Sequence, residues 1–427
     1  MANRTDMLII IALFVLLVGP LVTGLFLKQG EKTKQVNLYL SPRCEELFTV
    51  QIMEKLLAEF EELNPDIKIR IGSGAAAGEK DSKKSNASDD AKGKGAPSPG
   101  AVPDIFIFDE GEFSALVAAN SLLELNSFTN YDSGFVQSAV PLVSFMDLLF
   151  YNINILSEAG FDSPPKSRDA FLTCARAVSK GEFNASGSAI SLNPDDRQSL
   201  SRDIFSWIWA GGGDFWAEEK GPSVNTRPII NDLTFLGILS REGLLAPDIF
   251  KTTGSQRIEQ FAQGKIALMI ASARAIPYLR EKMGDKAFGI TTIPDSGTGG
   301  KYNIGLSAIY SGINSESTHP DEAWRFLEFL TQKSPLLCAE LKAIPGVVSD
   351  IIPGDYVQDD FFYSKAWDIF ESAKIVEGFV GKPGAAEYKA AVLHELETFF
   401  TAERSAQETV VSIQRRWDTL DIQEISD

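Results

Sequence analysis

Pro103-Asp104-Ile105-Phe106-Ile107-Phe108-Asp109-Glu110 sets four consecutive large apolar residues between two acidic ends. Such a run predicts a short strand buried on both faces, as in a parallel sheet. The acids follow at its C-terminal end, where open α/β sheets place their ligands. Apolar residues at Phe113, Leu116 and Val117 then start a helix-like pattern. Taken alone, the stretch fits an ordinary core strand with a solvated acidic turn equally well.

Upstream, Val36–Leu40 is a strand candidate, and Phe48, Ile52, Leu56, Phe60 and Leu63 recur at helical spacing before Asn64-Pro65 stops the helix. Ile67–Ile71 alternates apolar with basic residues, as a half-buried strand does. This β-α-β opening predicts a parallel pair with a right-handed crossover. Gly72–Pro103 is rich in Gly, Ala, Ser, Lys and Asp and offers a core nothing large until Val102. A disordered surface insertion is expected there, and the GxxxxGK[ST] order of a phosphate loop is absent. Met7–Leu27 carries no charge, and its 21 residues reach about 31 Å as a helix, enough for a bilayer core. An uncleaved membrane anchor is expected, with a removed signal as the rival. Downstream, Asp147–Asn152 is a second apolar strand, and Ser167 is an N-cap before a helix.

The chain has 427 residues, enough for two ordinary domains, and a net charge of −18. That charge argues against nucleic-acid binding through phosphate contacts. Three cysteines (Cys44, Cys174, Cys338) are too few and too scattered for a disulfide framework or a zinc site. No Ser-His-Asp or Cys-His constellation stands out, so no catalytic residue, metal ligand or cofactor is assigned.

An ordered series of segments carries a family likeness. The Phe48–Leu63 helix ends at Asn-Pro, the Pro-Asp strand follows, and Tyr151-Asn152 precedes Ala159-Gly160 and Pro164-Pro165-Lys166-Ser167. Later come Trp209-Ala210-Gly211-Gly212-Gly213-Asp214 and Phe261-Ala262-Gln263-Gly264-Lys265-Ile266-Ala267-Leu268-Met269. The sequence resembles the extracellular solute-binding proteins of ABC importers, in the maltose-binding-like group (family 1). The resemblance implies an α/β, two-lobed periplasmic-binding-protein fold of type II-like form, after an N-terminal signal or anchor and tether at 1–35. Crossings between lobes are expected near Leu148–Tyr151, Leu268–Ile270 and Ile309–Gly312. One lobe would take 36–149 (with the 72–103 insertion) and 270–310; the other would take 150–269 and 311–427. It also implies a monomer outside the cytoplasmic membrane that binds a small polar solute, a sugar or sugar derivative, and delivers it to an ABC permease, with no nucleic acid and no cofactor.

Phe205, Trp207, Trp209, Phe215 and Trp216 crowd around Gly211–Gly213. Aromatic faces stack on sugars and carboxylates accept from hydroxyls. Most of this cluster fits a buried helix stripe, which leaves Trp209 and Asp214 as the ligand candidates. Arg43 and Glu45 follow the first strand, and Asp109 and Glu110 follow the opening one. Arg274 stands near where the maltose-binding-like pattern often has an aromatic in a Gly-Pro-Trp-like turn, which this chain lacks. Its planar fork suits a carboxylate, a phosphate or sugar hydroxyls. Two other classes remain open at this stage: an exported glycosidase-like enzyme pairing Asp109 with Glu110 or Glu112, and a surface adhesin that keeps the fold.

Overall fold

The computed structural model describes residues 33–72, 102–128, 137–196, 198–217, 221–295, 302–345, 355–376, 378–402 and 404–424. The expected anchor at Met7–Leu27 and nearly all of the 72–103 insertion lie outside them. Among the described residues no helix is long and apolar enough to cross a membrane.

The main sheet holds ten strands: β1 (Lys34–Leu40), β2 (Ile67–Gly72), β3 (Ile105–Asp109), β4 (Val140–Asn152), β5 (Ser186–Ala189), β6 (Ile266–Ser272), β7 (Phe288–Thr291), β8 (Asn303–Ile313), β9 (Ile344–Pro345) and β10 (Lys374–Val376). Their order along the sheet is β2-β1-β3-β8-β4-β6-β5, with β7 and β9 also pairing with β4 and β10 with β8. β1 pairs in parallel with β2 and β3, as the β-α-β opening predicts. β3 is buried along its whole length between β1 and β8, so the acid-bounded apolar run is the two-sided strand it reads as.

Helices form where the sequence signals them. Met53, Leu56 and Phe60 bury one face of the helix Val50–Leu63, and Asn64 closes it by donating to the Phe60 carbonyl. Ser167 caps the helix Arg168–Lys180 through the Ala170 N–H. Ser41 caps a short helix, Pro42–Leu47, by accepting from the Cys44 N–H.

Two groups of core residues define the lobes. The first unites residues of Val36–Ile69 with Ile105 and Ile107, Val140–Phe145 and Ile309–Ala343, with Tyr39, Phe106, Phe113 and Tyr310 on the opposite sheet face. The second packs the helices around Arg168–Arg241 and Ala385–Glu424 on one face of β4 and β6. On the other face lie Ile276, Leu279, Phe288 and Phe362.

The core residues divide differently from the expected pieces 270–310 and 311–427. Phe326, Leu327, Leu330 and Leu337 pack in the first lobe, whereas Ile276, Leu279, Phe288 and Ile290 pack in the second. β6 is not a crossing, because Ile266 to Ala271 contact second-lobe cores on both faces. The links are β4, whose partner changes after Met146, β8 on its way from Ile304 to Ile309, and the step into β9 from Ala343 in the first core to Ile344 in the second.

Candidate functional site

The lobes and the two crossing strands enclose a cavity of about 730 Å³. The first lobe contributes Arg43 and Glu110. β4 and β8 floor it with Phe145, Asp147, Leu306 and Ser307. The second lobe supplies Asp195, Asp196, Gln198, Arg202 and Trp209, and the turns at Thr253–Ser255 and Ser272–Ala275.

Asp109 ends β3 and caps the helix Glu110–Ala118; its Oδ1 accepts from the Gly111 N–H at 2.8 Å and the Glu112 N–H at 3.2 Å. Its Oδ2 accepts from Arg43 Nη1 at 3.3 Å. Asp109 therefore holds Arg43 and the helix start, which leaves it poorly suited to the free acid a glycosidase pair needs. Glu110 faces Lys389 Nζ of the second lobe at 3.6 Å.

Arg202 is held by two carboxylates. Its Nη2 lies 2.7 Å from Asp203 and 3.1 Å from Asp196. Asp196 also accepts from the Gly254 N–H at 2.8 Å. A methyl group at Gly254 would meet the Arg202 guanidinium, so the missing side chain lets that group lie against the start of the helix Gly254–Ala262. Ser201 and Arg202 begin a single π-helical turn, Ser201–Phe205, that leads into the helix Ser206–Ala210; such turns recur at functional sites.

Asp147 is half-buried where β4 changes partner. Burial pushes its carboxyl up to about 7; Arg202 and Arg43 pull against this, and Asp203 and Glu110 reinforce it. Arg274 sits in the turn Ala273–Ala275 after β6, its guanidinium carbon 5.1 Å from the Phe145 ring centroid. No carboxylate among the described residues forms an ion pair with it. Burial and the charge of Arg43 disfavour its cation, and Glu46 favours it.

Trp209 lines the cavity and is still 8% exposed, packed edge-on to Phe205 at 5.8 Å. A methyl at Gly305 or Gly378 would strike its ring, so both glycines let backbone lie directly on the indole. Among the described residues its N–H has no hydrogen-bond partner. Phe205, Trp207 and Phe215 are buried as well, so the helix stripe takes most of the aromatic cluster.

Of the residues expected at the site, the fold thus brings Arg43, Glu110, Trp209 and Arg274 to one cavity and sets Asp109 behind Arg43. Glu45 is exposed away from it. Asp214 is exposed and binds its own turn, accepting from the Phe215 N–H at 2.7 Å. The sequence reading missed Asp147, Asp196 and Arg202. Asp147 left only a weak trace, one acid inside an apolar run.

Two lobes sharing one sheet around a polar cleft define a two-lobed binding protein. The chain belongs to the bacterial extracellular solute-binding protein family, whose model matches residues 48–335, more than half of its length. A relative from Deinococcus radiodurans, described as "Probable ABC transporter-binding protein", is 24% identical over 248 residues, 55% of this chain and 57% of its own length. The chain spans about half the length of the curated relatives it matches. Among solved structures, the sugar-binding protein MalE of Xanthomonas citri superposes with a TM-score of 0.70 at 15% identity, covering 92% of this chain and 98% of that one. The cyclic alpha-maltosyl-1,6-maltose binding protein of Arthrobacter globiformis gives 0.68 at 15% identity, covering 90% and 97%. At such identities the likeness establishes the fold.

Proposed function

We propose that the protein is the substrate-binding component of an ABC importer, capturing a small polar solute, a sugar or sugar derivative, between its lobes for a membrane permease. The observation that carries this is the polar cavity of about 730 Å³ bounded by both lobes and the crossing strands. A cleft of that size suits a small solute, and capture needs no covalent step. Family membership and the sugar-binding names of the structural relatives support the reading. The protein acts outside the cytoplasmic membrane, with Met7–Leu27 as its anchor. Thermal unfolding across a panel of sugars tests the function. A ligand at a hundredfold excess over its Kd adds about 2.7 kcal/mol. No stabilisation by any sugar defeats the sugar reading, and turnover of a polysaccharide panel moves the protein to the enzyme class.

A further inference from the structure

We infer that the solute is an acidic saccharide whose anionic group lies between Arg43 and Arg274. This rests on the solute-binding reading and names the ligand class for it. Three guanidinium groups line the cavity, and their commitments differ. Arg202 is matched by Asp203 and Asp196. Arg43 gives one nitrogen to Asp109, at the long distance of 3.3 Å, and has four further N–H donors. Arg274 rests on Phe145 and has no ion-pair partner among the described residues.

Arg43 belongs to the first lobe, whereas Arg274 follows a strand wholly inside the second. The two cations are near enough for Arg43 to work against the charge of Arg274, and Glu46 offsets this without pairing. An oxyanion between them would replace repulsion with charge-assisted hydrogen bonds from both lobes. It would also favour the present arrangement of the lobes, in which both guanidinium groups line one cavity.

Five acids line the cleft; Asp195 and Glu259 have no ion-pair partner among the described residues, and the other three tolerate such a ligand. Glu110 faces Lys389, and Asp196 is held by Arg202 and the Gly254 N–H. Burial pushes the Asp147 carboxyl up to about 7, which favours the protonated form that can donate to a sugar hydroxyl. Asp195, Ser255 and Ser307 add the alternating donors and acceptors that hydroxyl groups need.

Titration calorimetry on the purified protein compares matched pairs: galacturonate with galactose, glucuronate with glucose, and the corresponding disaccharides. Glucose 6-phosphate and glucose 6-sulfate test the other sources of an oxyanion. At least one acidic sugar is expected to bind tenfold or more tighter than its neutral partner. Arg274→Ala should lose tenfold or more against that acid, with little change towards the neutral sugar and an unchanged melting temperature. Arg274→Lys should recover only part, for want of the planar fork. A phosphate or sulfate ester that outbinds both uronates keeps the anion subsite and reassigns its source. A neutral sugar that binds as tightly as its acid, with Arg274→Ala unchanged, overturns the inference and leaves the solute-binding function standing. If every sugar fails, acidic and neutral alike, the sugar function falls and this inference falls with it.

Discussion

Asp147 is a carboxyl whose proton is worth more to the folded chain than to the unfolded one. Its ordinary value is near 3.9 and its folded value about 7. Between those limits the folded state holds the proton more tightly, so this group's contribution to stability falls as pH rises, and above 7 the whole penalty stands. Asp147→Asn should therefore raise the melting temperature clearly at pH 8 and hardly at all at pH 4. Burial also pushes Asp232 up, against Arg168, but that group is common to both proteins and cancels in the difference. A gain that is equal at both pH values would show that Asp147 titrates normally. Site residues were legible when they stood at the ends of elements, as Arg43, Glu110 and Arg274 do. Asp147 and Arg202 were not, because their role comes from β4 changing partner and from a π-helical turn, neither of which leaves a period in the sequence.

The crossing strands carry the next level of order. β8 passes Trp209 at Gly305, where any side chain would enter the indole. Gly305→Ala should cost about 1–3 kcal/mol through overpacking, read as a lower urea midpoint. Trp209→Phe in the same chain should return part of that loss, because the two positions share one contact. If Gly305→Ala is as stable as the parent, the strand and ring are not in close contact. The apolar run at Ile105–Phe108 was legible as a two-sided strand because its pattern is local. Crossings were expected in β4 and β8, where the links lie, but also in β6, because β4 and β6 are both buried along nearly their whole length and the hydrophobic pattern does not mark which strand leaves one core for the other.

The lobes also touch beside the crossing strands. Lys389 reaches Glu110, and Val380 packs on the first-lobe cluster around Phe113 and Tyr310. The ion pair is only partly sheltered, with side chains 26% and 13% exposed. Lys389→Met should thus change the unfolding free energy by no more than about 1 kcal/mol. The same amount, set against two arrangements of the lobes, shifts their ratio by up to about fivefold. Spin labels at Glu54→Cys and Glu281→Cys, both on exposed positions, would read the interlobe distance. Burial pushes the native thiols up, Cys44 and Cys338 to about 12 and Cys174 to about 11, so labelling near pH 7 spares them. A distance distribution unmoved by Lys389→Met would mean that the pair does not hold the lobes.

Trp209 gives the hinge a colour. Its ring lies on the backbone of Gly305, in a crossing strand, and of Gly378, in the segment leading to Val380 on the first lobe. Gly305 lies on a link between the lobes, Gly378 lies beside the point where the second lobe touches the first, and the indole N–H has no partner among the described residues to fix its surroundings. A small slide of either glycine changes the polarity around the ring, and the emission wavelength of an indole follows that polarity. Trp207 and Trp417 lie deep in the second core and supply a steady background. If the lobes close on a solute, the chain's own fluorophore at the joint makes that movement visible without any label.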